Sequence, residues 1–451
     1  MSDDRPVVAV VGAGLAGCEA AGVLASRGHR VRLYEQKPAH RSPAHVADTF
    51  AELVCSNTFR SEELDTGPGI LKAELRRAGS LIVAAADATR IPGGSALAVD
   101  RARFSALVTE RVRALPGVEV VPRQVASPAE VDEPHVILAT GPLTSDALAA
   151  DLGARVGQGH LAFYDAIAPI VDGESLDLER VFFASRYGKG DPDGYANCPM
   201  AEGEYHAFVA ALTEADALTP RAFEDERYFD GCQPVERIAE GGVESLAHGP
   251  MRPVGLTPPD GSRPHAVVQL RREDAEGRSF NLVGFQTRLR HPDQARVFRM
   301  IPGLEQARFL RFGSIHRNTF VDHPAVAQAD LTLKAEARVR LAGQITGVEG
   351  YIESTASGWL VGWAVACQLE GRPFVPPPST TTLGGLYRHV TTPVKRFQPT
   401  NAHLGLLDAI PWRRGVKKPQ RRYEYGERAV IDFTRWLAPE RAAPPSPQEE
   451  R

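Results

Sequence analysis

The chain has 451 residues, of which 43% are hydrophobic and 24% are charged, values close to those of ordinary globular proteins. This length predicts two or three domains, and the composition excludes a disordered chain or a coiled coil. The net charge of −4 does not by itself indicate a nucleic-acid partner, although a whole-chain sum conceals local patches. No apolar run approaches about 18 residues, so we expect no transmembrane helix and no membrane partner. The acidic start of the sequence predicts no signal peptide, and five cysteines without a CxxC pair predict reduced thiols in a cytoplasmic protein.

The first 35 residues contain the strongest local pattern in the sequence. Val7–Val11 is the continuous β-branched run that a buried parallel strand requires. The segment GAGLAG at 12–17 follows, and then an Ala-rich stretch that predicts a helix to about Ser26. A second strand is predicted at 31–34 and ends at Glu35. This order of strand, glycines, helix, strand and acid predicts a dinucleotide-binding fold.

Each part of this motif has a mechanical reason. Gly12 permits the tight turn, Gly14 lets the backbone approach a pyrophosphate, and Gly17 lets the helix pack close to the sheet. The amides at the helix N-terminus can bind the phosphates, and Glu35 can accept hydrogen bonds from a ribose. The cofactor-binding residues predicted from this motif are Gly12, Gly14, Leu15, Ala16, Gly17 and Glu35.

The motif alone does not separate FAD from NAD, but two later segments favour FAD. A short apolar strand, 136–140, ends at Gly141, as in flavoproteins that contain two dinucleotide-binding folds. A glycine-rich junction at 341–351 leads into a helix predicted to begin near Ser354. Such a junction can place a second helix N-terminus against the cofactor. We therefore add Gly141, Gly343, Gln344 and Gly347 to the predicted FAD site.

Because both ends of the chain contribute to this site, the FAD-binding fold must be discontinuous. We predict an α/β, Rossmann-like FAD-binding domain of the two-dinucleotide-binding flavoprotein type, formed by residues 1–155 and 325–451. Residues 156–324 are predicted to form an inserted α+β domain, because strand-like stretches such as 266–270 and 280–285 lie there.

Two basic stretches could bind a polyanion. The first is flanked by Trp412, Tyr423 and Tyr425, whose rings could stack on unpaired bases. Its basic residues are Arg413, Arg414, Lys417, Lys418, Arg421 and Arg422. The second stretch contains Arg288, Arg290, Arg296, Arg299, Arg308, Arg311 and Arg317. Either stretch alone could equally be a solvated face.

Three of the five cysteines are candidates for chemistry. Cys55 precedes Ser56 and Asn57, residues that can present backbone amides and so lower a thiol pKa. Cys232 follows a glycine and precedes a proline-containing turn, and Cys198 is a third candidate. Cys18 and Cys367 lie in apolar helices and are expected to serve packing. We predict no metal site.

The sequence resembles the folate- and FAD-dependent tRNA (uracil-5-)-methyltransferases, the TrmFO family, over most of its length. The segments that carry this resemblance include Gly12–Ala20, Leu53–Asn57, Ala96–Arg101, Ala139–Ser145, Gly231–Glu236, Gly249–Leu256, Arg299–Leu304, His316–Phe320 and Gly343–Gly347. One departure is the segment Arg186–Tyr195, which forms an extended loop relative to the family and could alter the approach of a substrate.

The resemblance implies methylation of C5 of uridine 54 in the tRNA T loop. It implies a methylene group from 5,10-methylenetetrahydrofolate, passing through the flavin N5, and reduction by FADH2 regenerated with NADH or NADPH. Cys232 matches the family's uracil nucleophile, and thiolate suits this role because it adds readily and leaves again. Cys55 matches a second cysteine near the flavin, which either protects the flavin–methylene adduct or assists proton removal. His316 matches a histidine that stacks on the folate pterin.

Several alternatives remain open from the sequence. The same chemistry could act on an rRNA uridine, the protein could be an FAD-dependent oxidoreductase of a small molecule, or it could be a non-catalytic flavin-bound protein that interacts with RNA. The sequence does not decide between a monomer and a homodimer.

Overall fold

The computed structural model describes residues 5–42, 44–157, 161–218, 233–411 and 415–441, and the side chains within these ranges except those of 161–166, 315–317 and 439–441. Its elements confirm the predicted α/β class, because a parallel sheet with helices is joined to a separate antiparallel sheet.

The secondary structure alternates between strands and helices along most of the chain. The strands are β1 (Val7–Val11), β2 (Arg30–Glu35), β3 (Thr58–Ser61), β4 (Arg90–Ile91), β5 (Ala96–Val99), β6 (Val118–Pro122), β7 (His135–Leu138), β8 (Leu161–Ile167), β9 (Ile170–Asp172), β10 (Phe182–Phe183), β11 (Ala196–Met200), β12 (Ala266–Arg272), β13 (Ser279–Leu282), β14 (Phe309–Arg311), β15 (Ser314–Phe320) and β16 (Val339–Leu341). The helices are α1 (Leu15–Ser26), α2 (Gly67–Ala78), α3 (Leu81–Ala88), α4 (Arg101–Arg113), α5 (Asp146–Val156), α6 (Glu202–Thr213), α7 (Val235–Ala239), α8 (Ser245–His248), α9 (His291–Phe298), α10 (His323–Val326), α11 (Tyr351–Leu369), α12 (Thr382–Thr391) and α13 (Lys418–Arg441).

The parallel sheet has the strand order β16-β7-β1-β2-β6. Every neighbouring pair is parallel, with Val8 opposite Val31 on one side and His135 on the other. Strand β1 is buried on both faces, which explains its unbroken apolar sequence. Because all the strands point the same way, the carboxyl ends of β1, β7 and β16 meet at one edge of the sheet.

A six-stranded antiparallel sheet, in the order β10-β11-β12-β13-β9-β14, lies in the middle of the chain. Its own hydrophobic core is formed with α6 and α9, and Phe208, Phe285 and Phe298 pack there without exposure to solvent. The strands predicted at 266–270 and 280–285 correspond to β12 and β13.

The chain passes between the two sheets twice, and the two passages pair with each other. Strand β8 pairs antiparallel with β15 over seven positions, from Ser314 opposite Ile167 to Phe320 opposite Leu161. The division into 1–155 plus 325–451 and 156–324 stays a prediction, and the position of this ribbon between the sheets is consistent with it.

A close crossing of two helices joins the two ends of the chain behind the parallel sheet. A Cβ atom added at Gly358 of α11 would lie 2.2 Å from the carbonyl oxygen of Ala16 in α1, and one at Gly362 would lie 3.0 Å from Ala20. Only glycine allows this approach, so the α11 sequence fixes how α1 is held. Among the described residues, no helix combines the length and apolar character needed to cross a bilayer.

Candidate active site

An elongated cavity lies at the sheet edge where β1, β7 and β16 end. It encloses about 1140 Å³ of empty space, including solvent at its mouth, and we call it the nucleotide cavity. Its lining includes residues of the GxGxxG turn, of the turn after β7 and of the turn after β16. Eight of the predicted cofactor residues are found there: Gly12, Gly14, Leu15, Ala16, Glu35, Gly141, Gly343 and Gln344.

The glycines of the first turn have the geometry that a pyrophosphate requires. Gly12 has φ of 100°, and a Cβ atom there would lie 2.7 Å from the carbonyl oxygen of Ala139. A Cβ atom at Gly17 would lie 1.8 Å from the carbonyl oxygen of Gly12, so the helix packs directly on the turn. At Gly14 the nearest such atom is 4.0 Å away, which leaves open space over the backbone. Helix α1 has no side-chain cap and no acidic residue in its first turn, so its N-terminus can receive a phosphate.

Glu35 is buried at the end of β2 and braces this turn. One carboxylate oxygen accepts a hydrogen bond from the amide of Ala13 and the other from the amide of Lys37, both at 2.9 Å. Each oxygen retains a further lone pair, which can accept a ribose hydroxyl. The residues present therefore fit an adenine dinucleotide cofactor such as the FAD that the sequence predicts.

The far side of the nucleotide cavity is formed by two more turns with left-handed glycines. Gly141 has φ of 68°, and a Cβ atom added there would have no described atom within 4 Å, while Gly343 has φ of 85° and donates to Ser357 at 2.9 Å. Gly347 lies outside the residues that line this cavity. It has φ of 85°, and a Cβ atom there would lie 2.4 Å from the ring of Phe397, so the turn leaves no room for a side chain at this position.

A second cavity continues from the first and contains Cys55 in its lining, so we call it the thiol cavity. It encloses about 1300 Å³, again including open solvent. The two cavities share the residues Val54, Pro142, Leu143, Gln344 and Tyr351. The cavity that fits a dinucleotide is therefore continuous with the cavity that contains Cys55.

The loop that carries Cys55 is held by Tyr351, the first residue of α11. The phenol oxygen of Tyr351 accepts hydrogen bonds from the amides of Cys55 at 2.8 Å and Ser56 at 3.1 Å. Burial raises the pKa of Tyr351, so its hydroxyl stays protonated. Asn57 is fully buried and donates to the carbonyl oxygens of Val99 at 3.0 Å and Arg272 at 2.8 Å.

Three guanidinium groups also hold the Cys55 loop. Arg101 donates to the carbonyl of Leu53, and Arg311 donates to the carbonyl of Val54 at 3.0 Å. Arg271 donates to the Asn57 side chain at 2.7 Å and to Ser56 at 2.9 Å. Arg101 and Arg311 interact electrostatically with the Cys55 sulfur. Positive charge beside a thiol stabilises the thiolate, which is the reactive form.

Sequence reasoning selected Cys55 but did not find the arginines or Tyr351 that hold its loop. Arg271 and Arg311 belong to β12 and β14 of the antiparallel sheet, more than 200 positions later in the chain. Of these residues, only Arg311 lies in the arginine-rich stretch between 288 and 317, which we interpreted as either a candidate surface for a polyanion or a solvated face.

Most of the arginines in this second basic stretch are bound by groups of the protein itself. Arg288 pairs with Glu236 at 3.7 Å, Arg296 with Asp293 at 2.7 Å, and Arg308 with Asp172 at 2.7 Å. Arg299 donates to the carbonyl of Ala307 at 2.9 Å, and Arg311 holds the Cys55 loop. These side chains are therefore used mainly within the protein.

The remaining described cysteines are unsuited to nucleophilic chemistry. Cys198 lies in β11 without exposure, and burial raises the pKa of its thiol, which corrects its place among the candidates. Cys18 and Cys367 are also fully buried, as expected for packing residues. Burial raises the pKa of Cys18 as well.

Three predicted site residues, Cys232, Arg413 and Arg414, lie outside the described residues. His316 occupies a backbone position in β15 opposite Asp165, two residues before Asn318, which lines the thiol cavity. Of the first basic stretch, Lys417, Lys418 and Arg422 are exposed, and Arg421 donates to the carbonyl of Val416 at 2.8 Å.

Comparisons with known proteins agree with this geometry. The family model described as "Glucose inhibited division protein A" matches residues 7–373. The methylenetetrahydrofolate–tRNA-(uracil-5-)-methyltransferase TrmFO of Geobacter sulfurreducens is 55% identical over 96% of this chain and 99% of its own. The chain belongs to the TrmFO family. The TrmFO of Myxococcus xanthus is 51% identical over 97% of this chain and 96% of its own.

A solved structure shows the same fold at lower sequence similarity. GidA of Aquifex aeolicus aligns with a TM-score of 0.68 over 97% of this chain and 74% of its own, at 17% identity. This likeness confirms the α/β fold.

Proposed function

We propose that this protein methylates C5 of a uridine in tRNA, uridine 54 of the T loop, with 5,10-methylenetetrahydrofolate as the carbon donor and FAD as cofactor. The observation that carries this proposal is the continuity of the nucleotide cavity and the thiol cavity, which places Cys55 beyond the end of a dinucleotide site in a chain of the TrmFO family. NADH or NADPH is the proposed reductant.

The binding of FAD is assigned to the residues that form the nucleotide cavity. Gly12, Gly14 and the N-terminus of α1 would hold the pyrophosphate, and Glu35 would hold the adenosine ribose. The turns at Gly141 and Gly343 would contact the flavin end. When bound and reduced, the flavin supplies the hydride that converts a methylene group to a methyl group.

The protein must also activate the uracil ring, because C5 is not nucleophilic until a group adds to C6. We assign this addition to the Cys232 sulfur. The described chain resumes just after this residue, and Val235 donates to the carbonyl of Gln286 at 2.7 Å. Gln286 lines the thiol cavity, so the described residue that stands three positions after Cys232 in the sequence is bound to the wall of that cavity.

We assign to Cys55 the removal of the C5 proton. The guanidinium groups of Arg101 and Arg311 favour its thiolate form, and a thiolate can accept a proton. The alternative role, protection of the one-carbon adduct, requires the same position but does not require the charge. His316 is proposed to stack on the pterin, since its strand also carries Asn318 of the thiol cavity.

The decisive experiment is incubation of the purified protein with unmodified tRNA, methylenetetrahydrofolate and NADH, with ribothymidine measured by mass spectrometry. We expect product at position 54 of tRNA and none when S-adenosylmethionine replaces the folate. Cys232→Ala should keep its yellow colour and its NADH-driven flavin reduction but form no product. Methylation of rRNA instead of tRNA, or product from S-adenosylmethionine, would contradict the proposal.

A further inference from the structure

The loop after β10 presents an aromatic ring to solvent in an unusual backbone conformation. Tyr187 has φ of 61° and ψ of 19°, in the left-handed region that non-glycine residues rarely adopt. Its side chain is 59% exposed, so burial of the ring does not compensate for this backbone. Backbone strain of this kind is found in proteins mainly at positions that serve a function.

The conformation of Tyr187 is held by hydrogen bonds from its own amide and from the side chain of Arg186. Its amide donates to the carbonyl of Gly255 at 2.7 Å. The neighbouring Arg186 donates to the carbonyl of Arg252 at 2.8 Å and to the side chain of Gln269 at 3.0 Å. A Cβ atom at Gly255 would lie 2.6 Å from the Tyr187 ring, so the ring rests on a glycine backbone. The ring is therefore fixed before any ligand arrives.

The charges around this ring are positive. Lys189 and Arg252 are exposed, and neither forms an ion pair among the described residues. The two acidic residues of the same loop are engaged elsewhere, since Asp191 accepts from the amide of Gly93 at 3.1 Å and Asp193 pairs with Arg272 at 3.6 Å. The surface formed by Tyr187, Lys189 and Arg252, which we call the Tyr187 platform, thus combines an aromatic face with two available cations.

The Tyr187 platform is linked to the wall of the thiol cavity through the short segment 250–252. Gly284 lines that cavity, and a Cβ atom on it would lie 2.8 Å from the side chain of Pro250. Pro250 precedes Arg252 by two residues, and the Arg252 carbonyl accepts from Arg186 next to Tyr187. This segment therefore joins the platform to the cavity in which the proposed function places one base of the polynucleotide.

We propose that the Tyr187 platform binds an unpaired nucleotide of the RNA substrate, with the base stacked on the Tyr187 ring and adjacent phosphates near Lys189 and Arg252. Aromatic rings flanked by cations are how proteins hold single-stranded RNA, because every base has a face that can stack. This inference rests on the proposed function, and it assigns a role to the loop formed by residues 186–195.

The test is the affinity for unmodified tRNA at fixed salt concentration, together with the rate of ribothymidine formation. Tyr187→Ala should weaken tRNA binding about five-fold or more, since a stacked base contributes that much to affinity. Tyr187→Phe keeps the stacking face and should bind like the wild type, which separates stacking from a change in the loop. Leu178→Ala, at another side chain that is 59% exposed, is the matched control and should have no effect.

The cations are tested by the salt dependence of binding. Arg252→Ala and Lys189→Ala should each lower the slope of log affinity against log salt by about one, while Arg278→Ala, at an exposed arginine paired with acids, should not. Unchanged tRNA affinity in Tyr187→Ala would overturn the inference while leaving the proposed function intact if the wild type still forms ribothymidine. A change in oligomeric state in that variant would assign the surface to a protein contact instead and would also overturn it.

Discussion

The Tyr351 hydroxyl and the Cys55 amide, 296 positions apart in sequence, are joined by a hydrogen bond of 2.8 Å. The same oxygen accepts a second bond from Ser56, so one atom at the start of α11 determines the position of the thiol loop. Tyr351 also lies at the junction of the two cavities. The segment after β16 therefore helps to form the nucleotide site and also holds the cysteine beside it.

Replacement of Tyr351 by phenylalanine should release this loop. The amides of Cys55 and Ser56 would lose their acceptor, at a cost of about 1–3 kcal/mol for partners left unpaired. We expect ribothymidine formation to fall about five-fold or more, as that energy implies, while the protein retains its flavin absorbance. Tyr387→Phe, which also removes a hydrogen bond, to Ala329, is the control and should methylate normally. Unchanged activity in Tyr351→Phe would mean that the arginines suffice to hold the loop.

Loss of the Arg311 charge should make Cys55 less reactive. Arg311 stands beside the carbonyl of Val54 and interacts with the sulfur, so Arg311→Ala removes charge that favours the thiolate. Alkylation of Cys55 by iodoacetamide at pH 7, followed by peptide mass spectrometry, should slow several-fold, and Arg311→Lys should restore part of the rate. Arg308→Ala, at an exposed arginine on the adjoining segment, should leave the rate unchanged. Equal rates in all the variants would contradict the electrostatic role.

The sequence predicted the nucleotide end of the site well, because local patterns determine it. Strand β1 has the predicted bounds, α1 ends at Ser26, β2 ends at Glu35, and α11 begins at Tyr351, three residues before the predicted start. Short-range periodicity and glycine spacing are sufficient there.

The thiol end could not be predicted in the same way. The support for Cys55 comes from Arg101, Arg271 and Arg311, and which arginine meets which carbonyl depends on how the two sheets are placed. The sequence also could not show that Cys198, a candidate alongside Cys55, is enclosed within a sheet.

A methyl group at Gly358 of α11 should displace α1 and thereby weaken cofactor binding. Its Cβ atom would lie 2.2 Å from the carbonyl oxygen of Ala16, a backbone atom next to the phosphate-binding turn. Gly358→Ala should therefore cost about 1–3 kcal/mol or more through overpacking and lower the FAD content of the purified protein. Gly203→Ala is the control, because no described atom lies within 4 Å of its Cβ position in α6, and it should be neutral or stabilising. Full FAD content in Gly358→Ala would show that α1 can move without loss of the site.

The free energy of unfolding should depend on Glu370 at acidic pH. Burial raises the pKa of this carboxyl, but hydrogen bonds from Arg27 and Arg372 outweigh burial and lower it from 4.5 to about 2. A pKa lowered by folding contributes stability above 4.5, and that stability is lost as the pH falls toward 2.

Glu370→Gln should accordingly destabilise the protein at pH 7 by about 1 kcal/mol or less, because the group is partly solvated. The difference from wild type, measured from urea midpoints at a series of pH values, should shrink below pH 4.5. Glu119→Gln, at a more exposed partner of Arg32, should show a smaller effect throughout. A difference that stays constant down to pH 2 would exclude the ionic contribution.

The first basic stretch should give tRNA binding a steep dependence on salt. Lys417, Lys418 and Arg422 are exposed on and beside α13, and each phosphate contact that is lost should lower the slope of log affinity against log salt by about one. Replacement of all three by alanine should thus flatten the salt response by about three. An unchanged slope would mean that these side chains form a solvated face and do not contact phosphates.

The paired strands β8 and β15 constrain how the two sheets can move relative to each other. Seven consecutive positions are in register, so sliding one passage of the chain along the other would break their hydrogen bonds together. Bending both strands together, out of the plane of the ribbon, breaks none of these hydrogen bonds. Such a connection resists sliding more than bending. Because Gly284 and Gln286, which follow β13 of the antiparallel sheet, line the thiol cavity, bending of the ribbon would change the width of that cavity without changing the register of its strands.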